Sequence, residues 1–552
     1  MEERIRRAVE EALAQAGAPG VAFVVERPSD MSHGDYATNA ALAAAKALGR
    51  NPRELADSLA RSLIDSLGAN IASHVAVAGP GFVNITLARE AVALVVAGAD
   101  AQGAEWGEGA AEEGMRVIVE YSNPNAFKEM HIGHLVGTVV GEAVARLIEN
   151  AGATLARDTF GGDIGPNVAK ALWGLRKNGI TDPTSAQEIG AAYAEGSNAY
   201  ENDPVAKAEI DALSQAIYAG ADHELMELWR KGRDVSVEDF RRIWRLLDTH
   251  FDFEFFDSDT TETGLRVVRD GLLKGIFEKS DGAVIYNGEK KGVHTMVFIT
   301  SHDTPTYEAK DIGLAFLKEE RWPSDKVVIV TGNEQTGRFK TVLAALSEVA
   351  PLVAAKTKHL ATGFLKLASG KMSSREGNVI TASDFIKDVI EKASQKNADP
   401  LIAEQVAIGA IKYMILRQAP GSDIIFDEEK SLSLEGDSGP YLQYALVRAR
   451  SVLEKARGTK HEARNETPEV PHMLERLMVH FPEVLARAAR ELAPNLLTVY
   501  LIELAGEWNS FYAQERIIGG DHEAHKLLVA RAFVQTMTNG LTVLGIPTPE
   551  KM

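Results

Sequence analysis

Two short strings of residues, about 240 positions apart, carry the chemistry of this chain: His131-Ile132-Gly133-His134 and Lys371-Met372-Ser373-Ser374-Arg375. In the first string, the imidazoles at positions i and i+3 can project to one side and donate hydrogen bonds to phosphate oxygens. Preorganised donors to charge that develops in a transition state are worth about 3–4 kcal/mol. Gly133 has no side chain, so a nucleotide can approach the backbone closely there.

The second string predicts a mobile basic loop, because glycines stand near both of its ends, at Gly370 and Gly377. Lys371 and Arg375 can neutralise the β and γ phosphates of ATP while Ser373 and Ser374 donate hydrogen bonds. Together the strings suit transfer of an adenylyl group to a weak nucleophile such as a carboxylate. Taken singly, each has a plainer interpretation: a histidine that caps a helix or packs in a core, and a solvated basic turn.

The elements around the first string predict a site at the edge of a parallel sheet. Residues 116–121 read as a β-branched strand, 122–130 as a loop, 133–150 as a helix and 154–158 as the next strand. In such a βαβ unit, ligands bind beyond the carboxyl ends of the strands, where the strand order reverses. The helix begins at the string, and a helix N-terminus favours phosphate.

The remaining pattern predicts an α/β fold: a Rossmann-type doubly wound parallel sheet with a small α+β N-terminal domain and an all-α C-terminal bundle. Strand signals resume at 293–299 and 326–331, and residues 98–114 read as a linker. The predicted domains are 1–110, a catalytic domain over 111–394 with a helical insertion at about 180–275, and a helical domain over 395–552.

The composition bounds the class of protein. Apolar content of 45% and charged content of 25% in 552 residues are typical of a globular protein with several domains. The absence of cysteine excludes disulfides, thiolate catalysis and Cys-ligated metals. Neither a membrane span nor a secretory signal is evident, so a cytoplasmic protein is expected. The net charge of −19 speaks against a nucleic-acid partner unless basic residues are concentrated locally.

Several motifs resemble those of class I aminoacyl-tRNA synthetases, and of the arginyl type in particular. The two strings carry the resemblance to the class. The resemblance to the arginyl type is carried by four further segments: Glu120-Tyr121-Ser122-Asn123-Pro124-Asn125, Thr304-Pro305-Thr306-Tyr307 with Asp311, residues 435–444, and residues 544–552. Residues 79–84 are similar to part of that family's N-terminal domain.

The resemblance implies substrates, partners and site residues. ATP with Mg²⁺ enters as a substrate, with no protein-bound metal, and the partners are L-arginine and tRNA(Arg), with no membrane partner and a monomeric enzyme. The implied arginine-binding residues are Glu120, Asn123, Asn125, His131, Tyr307, Asp311 and Gln335. The implied ATP-binding residues are His131, Gly133, His134, Lys371 and Met372. The implied tRNA-binding residues are Phe82, Asn84, Trp508, Tyr512 and Met552.

Physical chemistry supports Asp311, because a carboxylate matches the planar fork of a guanidinium. On a helix, Tyr307 would share its face. The plainer interpretation makes Asp311 an exposed acid and Tyr307 a core aromatic, and the C-terminal aromatics could equally be core residues.

The chain also departs from the family pattern at three places: Asn123, where Ser is common, Val136, where Arg is common, and His302-Asp303, where an acidic-Gly pair is common. Two alternatives stay open. One is another class I type, such as the class I lysyl enzyme, and the other is a catalytically silent tRNA-binding paralogue. The family generally needs bound tRNA to activate arginine, and the same is expected here.

Overall fold

The structure is a computed structural model that describes residues 1–368, 380–457 and 467–552. The second string therefore lies outside the described residues, and with it the expectations for Lys371, Met372, Ser373, Ser374 and Arg375.

The strands of the described chain are β1 (Val25–Glu26), β2 (Tyr36–Thr38), β3 (Ala72–Ala78), β4 (Phe82–Leu87), β5 (Arg116–Glu120), β6 (Thr154–Gly161), β7 (Phe253–Phe256), β8 (Glu278–Ser280), β9 (Ala283–Tyr286), β10 (Met296–Ile299), β11 (Lys326–Gly332), β12 (Thr357–Thr362), β13 (Leu365–Leu367) and β14 (Ile424–Phe426). The α-helices of the same residues are α1 (Glu2–Gln15), α2 (Ala40–Leu48), α3 (Pro52–Leu67), α4 (Arg89–Gln102), α5 (Ile132–Asn150), α6 (Pro166–Lys177), α7 (Ala186–Asn202), α8 (Pro204–Ala219), α9 (His223–Leu246), α10 (Asp257–Leu273), α11 (Tyr307–Arg321), α12 (Thr336–Val349), α13 (Pro351–Lys356), α14 (Ala382–Ser394), α15 (Pro400–Leu416), α16 (Glu428–Ser431), α17 (Gly439–Arg457), α18 (Met473–Val479), α19 (Phe481–Glu491), α20 (Pro494–Gln514) and α21 (Glu523–Val543).

A parallel sheet with the order β12-β11-β5-β6-β7 forms the centre of the catalytic region. Val117, Ile118 and Val119 of β5 are all buried, because helices cover both faces of the sheet. From β5 the chain adds strands in one direction through β6 and β7, and later in the other through β11 and β12. The strand order thus reverses between β5 and β11, and the predicted doubly wound, Rossmann-type class is confirmed.

Two strand expectations were wrong in detail. Phe253–Phe256 is the edge strand β7 of the parallel sheet, although it falls inside the segment read as a helical insertion. A strand of four residues between two long helices leaves too little period-2 pattern to be recognised. Met296–Ile299 pairs antiparallel with β9 in a separate sheet, rather than extending the parallel one.

The inserted helix α9 supports the loop that precedes the first histidine. The Ser236 hydroxyl accepts a hydrogen bond from the backbone N–H of Phe127 at 3.0 Å, and the Trp244 indole donates to the Ser122 hydroxyl at 2.9 Å. The ring of Phe127 is fully buried against Gly232, where an added Cβ would lie 2.4 Å from a ring carbon. The insertion therefore fixes the position of the loop between β5 and α5.

The terminal regions pack on each other and on α5. The N-terminal region has an antiparallel sheet of the order β1-β2-β4-β3 and two helices with one buried apolar face each. These faces carry Ile5, Val9 and Leu13 on α1 and Leu55, Leu59 and Leu63 on α3. The expected linker at 98–114 is instead the end of α4 followed by Trp106, whose buried indole donates to the Thr536 hydroxyl at 3.0 Å.

The C-terminal region is helical, as expected, apart from the short strand β14, which pairs with β13. Its core includes Trp508, which is fully buried and stacks on Phe533 with ring centroids 4.7 Å apart. No helix in the parts of the chain that the structure describes is long and apolar enough to cross a membrane.

Gly232→Ala should destabilise the protein, because the new methyl group must displace the buried ring of Phe127. Overpacking of this kind costs about 1–3 kcal/mol. The control is Gly98→Ala in α4, where an added Cβ meets only the end of Gln102 at 3.5 Å. That substitution should be neutral or stabilising, since alanine is the better helix former. Apparent thermal midpoints measure both effects, and midpoints that move equally in the same direction would contradict this packing.

Candidate active site

His131 and His134 cap each other at the N-terminus of α5. The Nδ1 atom of His131 accepts the backbone N–H of Gly133 at 3.1 Å, and the Nδ1 atom of His134 accepts the backbone N–H of His131 at 3.3 Å. The two rings stack with their centroids 3.7 Å apart. Gly133 is required for this arrangement, because a Cβ there would lie 2.9 Å from the His131 ring.

The cap determines the chemistry of both imidazoles. Since each Nδ1 accepts a backbone hydrogen bond, the proton of the neutral ring is on Nε2, and each Nε2–H is a donor available to a ligand. Burial, reinforced by the charge of Lys128, lowers the pKa of His131, and burial with His131 and Lys128 nearby lowers the pKa of His134 well below its usual value. Both rings are therefore neutral donors at neutral pH, located at the switch point of the sheet.

The loop before α5 has a strained backbone. Ser122, Asn123 and Phe127 have positive φ angles of 74°, 50° and 62°, which non-glycine residues rarely adopt. Outliers of this kind concentrate at functional sites, where surrounding contacts maintain them. Asn123 is held on two sides, because its amide donates to Glu120 at 2.9 Å and accepts the backbone N–H of Phe160 at 2.9 Å. Its side chain thus orients Glu120 and ties the loop to β6.

Glu120 ends β5 and belongs to a buried cluster of charges. Lys318 of α11 contacts the Glu120 carboxylate and lies 2.9 Å from that of Asp158, and all three side chains are at most 3% exposed. Burial raises the pKa of Asp158 and the Lys318 charge opposes that rise. One lysine therefore stabilises two carboxylates beneath the carboxyl ends of β5 and β6.

Asp311 and Gln335 meet at the end of the neighbouring strand. Asp311 lies one turn after Tyr307 on α11, and Gln335 lies between β11 and α12. Both contact Arg338: its Nη1 pairs with the Asp311 carboxylate, and its Nε donates to Gln335 at 2.9 Å. Burial raises the pKa of Asp311 to about 7 despite the Arg338 charge, and the charge of Glu120 adds to the rise. Asp311 and Gln335 thus lie together at the guanidinium of Arg338, on which the charge of Glu120 also acts.

The plainer interpretations of Tyr307 and Asp311 do not hold. Tyr307 is 52% exposed, so it is not a core aromatic, and the Asp311 side chain is only 10% exposed, so it is not a solvated acid.

Asn125 accepts a hydrogen bond from the backbone N–H of Gly162 at 2.9 Å. A Cβ added at Gly162 would lie 2.4 Å from the Asn125 side-chain oxygen. These residues surround one end of the parallel sheet, beyond β5, β6 and β11.

The chain that follows the second string runs alongside the first. The structure resumes at Ile380, whose carbonyl accepts the backbone N–H of Ile132 at 3.3 Å, and Thr381 forms an antiparallel bridge with His131. The backbone N–H of Ala382 donates to the carbonyl of Met130 at 2.7 Å. The described chain on the C-terminal side of the second string therefore begins beside the histidine pair.

The expected tRNA contacts lie away from this site and differ in exposure. Phe82 is 39% exposed on β4, and Asn84 of the same strand and Tyr512 of α20 are half-buried, as is the terminal Met552. The guanidinium of Arg448 lies 4.1 Å from the Tyr512 ring centroid. Trp508 has no exposed surface on which a base could stack, so its assignment as a tRNA contact is corrected to a core residue.

Sequence reasoning missed three charged residues of the site: Asp158, Lys318 and Arg338. Asp158 is the last residue of β6 that pairs with β5, opposite Glu120, which parallel register would have indicated. Lys318 and Arg338 carry no local signal, because a lysine near a helix C-terminus and an arginine near an N-terminus look like surface residues. Within residues 1–368, 380–457 and 467–552, no cluster of three or more potential metal ligands occurs.

Comparison with known proteins agrees with this geometry. Residues 98–428 match the family model described as tRNA synthetases class I (R), catalytic domain, residues 442–552 match the DALR anticodon binding domain, and residues 3–87 match the arginyl tRNA synthetase N terminal domain. A catalytic region that places a capped histidine pair at the switch point of a doubly wound sheet is thus that of a class I aminoacyl-tRNA synthetase.

Similar proteins narrow the class. The arginine–tRNA ligase of Treponema pallidum is 30% identical over 588 residues, covering 100% of this chain and 99% of the relative. That of Limosilactobacillus reuteri is 29% identical, again covering 100% and 99%. The arginyl-tRNA synthetase structure of Thermus thermophilus aligns over 100% of both chains with a TM-score of 0.82 and 25% identity. The chain belongs to the arginyl-tRNA synthetase family, whose members use ATP.

Lys318→Met should destabilise the protein by about 3–5 kcal/mol at neutral pH, because Glu120 and Asp158 would be buried without their counter-ion. The relevant pH range lies between the carboxyl pKa of the unfolded chain, about 4, and the raised carboxyl pKa of the folded variant. In this range the folded variant binds more protons than the unfolded chain. Its stability therefore falls as pH rises, and the loss should be smaller at pH 5 than at pH 8. Urea unfolding at both values measures this.

The matched control is Lys326→Met, which removes a partly exposed pair with Glu112 at 2.9 Å and should cost no more than about 1 kcal/mol. Equal losses for the two variants, or a Lys318→Met loss independent of pH, would contradict the buried cluster.

Proposed function

We propose that this chain joins L-arginine to tRNA(Arg) in two steps. An oxygen of the arginine carboxylate attacks the α-phosphate of ATP, and pyrophosphate leaves. A ribose hydroxyl at the 3′ end of the tRNA then attacks the carbonyl of arginyl-adenylate, and AMP leaves. The observation that carries the proposal is the reciprocal histidine cap, which presents two neutral Nε2–H donors at a helix N-terminus beside the reversal of strand order.

His131 and His134 donate to the oxygens of the α-phosphate as negative charge builds up on them, and Gly133 lets the nucleotide approach the backbone. Lys371 and Arg375 neutralise the departing pyrophosphate, Ser373 and Ser374 donate to it, and Met372 contacts ATP. These last five residues lie outside the described residues. What supports their roles is the resemblance in sequence and the bridge between Thr381 and His131, which keeps the following chain at the site. Mg²⁺ enters with ATP.

The guanidinium of the substrate binds Asp311 and Glu120, with Gln335 as a further polar partner and Tyr307 packed on the aliphatic stem. Asn125 lines the same pocket, and Asn123 acts mainly as a positioning residue, since both ends of its amide are already engaged with Glu120 and Phe160. His131 adjoins the arginine carboxylate. Support comes from the closeness of Glu120, Asp311 and Gln335 and from the low exposure of both carboxylates.

The tRNA binds across both terminal regions, with Phe82 and Asn84 on the N-terminal sheet and Tyr512 and Met552 on the helical region. Arg448, which stacks on Tyr512, supplies positive charge there.

The proposed protein has three domains, over residues 1–110, 111–394 and 395–552. It acts as a monomer in the cytoplasm, without a membrane partner.

The proposal is tested by ATP–pyrophosphate exchange and by charging of total tRNA with arginine or lysine. Arginine should be activated and transferred, and lysine should not. The lysine ammonium binds a carboxylate as a point charge, because it lacks the planar fork of N–H donors of a guanidinium. Exchange should require tRNA. Preferential charging with lysine would favour the class I lysyl alternative, absence of any charging would favour the silent tRNA-binding paralogue, and robust exchange without tRNA would refute the coupling.

Substitutions of His134 separate the cap from the phosphate donor. In His134→Gln, the side-chain amide nitrogen can occupy the position of Nε2 and donate to the phosphate. In His134→Asn, the side chain replaces only the Nδ1 atom that accepts the backbone hydrogen bond. His134→Ala should lower kcat for arginine activation at least about tenfold. His134→Gln should retain more activity than His134→Asn, although Asn preserves the cap.

The control is His223→Gln at the exposed start of α9, which should leave kcat unchanged. Initial rates of exchange in the presence of tRNA measure each variant. Activity that follows the cap, with Asn better than Gln, would contradict the donor role.

A further inference from the structure

The guanidinium of Arg338 is held by groups that match those needed by a free arginine side chain. Its Nη1 pairs with the Asp311 carboxylate and its Nε donates to the Gln335 side-chain oxygen at 2.9 Å. Its charge centre lies 4.7 Å from the centroid of the Phe339 ring. The side chains of Arg338 and Asp311 are 22% and 10% exposed, so the pair is largely withdrawn from water.

The surroundings explain why a cation is needed there. Besides Asp311, which contacts the guanidinium, the charges of Glu308 and Glu120 also act on Arg338. Lys318 is occupied by Glu120 and Asp158, and it does not reach Asp311. Without Arg338, the buried Asp311 carboxylate would have no ion-pair partner in the described chain, which is costly in a medium of low dielectric constant.

We propose that Arg338 is a resident guanidinium that occupies the side-chain end of the arginine subsite in the free enzyme and yields it to the substrate. This inference rests on the proposed function, because it takes Asp311 and Gln335 as substrate contacts. Arg338 leaves by rotation of its side chain, and the incoming guanidinium takes over the same carboxylate and the same amide oxygen. No covalent step is involved.

A resident competitor affects both affinity and specificity. The apparent affinity for arginine is reduced by the fraction of enzyme in which the subsite is already filled. A ligand gains access only if it replaces both lost contacts. A guanidinium can do so, because its fork pairs with a carboxylate and still presents further N–H donors. An ammonium replaces the charge but not the planar arrangement of donors, and so lysine displaces Arg338 poorly.

The test measures binding to the full-length enzyme by calorimetry, with L-arginine, methylguanidinium and ATP as separate ligands. Arg338→Met keeps the length of the stem and removes the competing guanidinium. It should bind L-arginine and methylguanidinium at least about threefold more tightly than the unchanged protein. Its affinity for ATP should change by less than about twofold, so that the gain is confined to the guanidinium subsite.

Arg269→Met is the matched control. It removes an exposed arginine that pairs with Asp303 at 2.7 Å, and it should leave all three affinities unchanged. Arg338→Lys keeps a cation near Asp311 without the fork. It should also bind arginine more tightly than the unchanged protein. If Arg338→Met fails to fold, the arginine affinity of Arg338→Lys alone tests whether Arg338 competes with the substrate.

The outcomes separate the two proposals. If the unchanged protein charges tRNA with arginine but the Arg338 variants bind arginine equally or more weakly, Arg338 is a permanent part of the pocket and the inference is overturned, while the proposed function stands. If the unchanged protein neither binds arginine nor charges tRNA with it, the proposed function itself fails.

Discussion

The reciprocal hydrogen bonds between His131, His134 and the first turn of α5 determine what the site can do. An imidazole alone can donate from either nitrogen, and a phosphate site built from free rings would have no fixed direction. Because both Nδ1 atoms accept backbone N–H groups, both Nε2–H groups are directed by the fold itself. Ring stacking at 3.7 Å and the missing side chain of Gly133 make this possible. The same hydrogen bonds therefore cap the helix and orient the two proposed phosphate donors.

Charge balance constrains the other half of the site. Glu120, Asp158 and Asp311 are buried carboxylates, and Lys318 and Arg338 are the cations that pair with them. The buried Glu308 also acts on Arg338, so full ionisation of these four carboxylates would leave two negative charges in excess of the two cations. Burial counteracts that excess by raising the pKa of Asp311 to about 7. A cationic substrate that replaces Arg338 would keep the Asp311 carboxylate paired, and it would add hydrogen bonds that a proton cannot provide. The excess of carboxylates is thus consistent with the proposed binding of a guanidinium at this end of the sheet.

The sequence revealed the parts of this site that have local patterns. The β-branched run of β5, the histidine string and the largely apolar stretch of α5 are local patterns, so the switch point could be located from them. Asp311 and Tyr307 followed from one helical turn and the resemblance. Arg338, Lys318 and β7 could not be predicted, since their roles depend on which strands adjoin in space. Trp508 was misjudged because an aromatic residue on a helix has the same sequence pattern in a core as at an interface.

The two ends of the enzyme are joined through the same helix that carries the histidines. Arg146 of α5 donates to the carbonyl of Thr542 at 3.0 Å and pairs with Glu142, which in turn accepts from the buried hydroxyl of Tyr121 just after β5. Lys412, buried in α15, donates to the carbonyls of Leu247 and Gly545. Continuous hydrogen bonds therefore run from the C-terminal helices to the strand that ends in Glu120. In the proposed requirement for bound tRNA, a shift of α21 would act on Arg146 directly and so reach the strand that ends in Glu120.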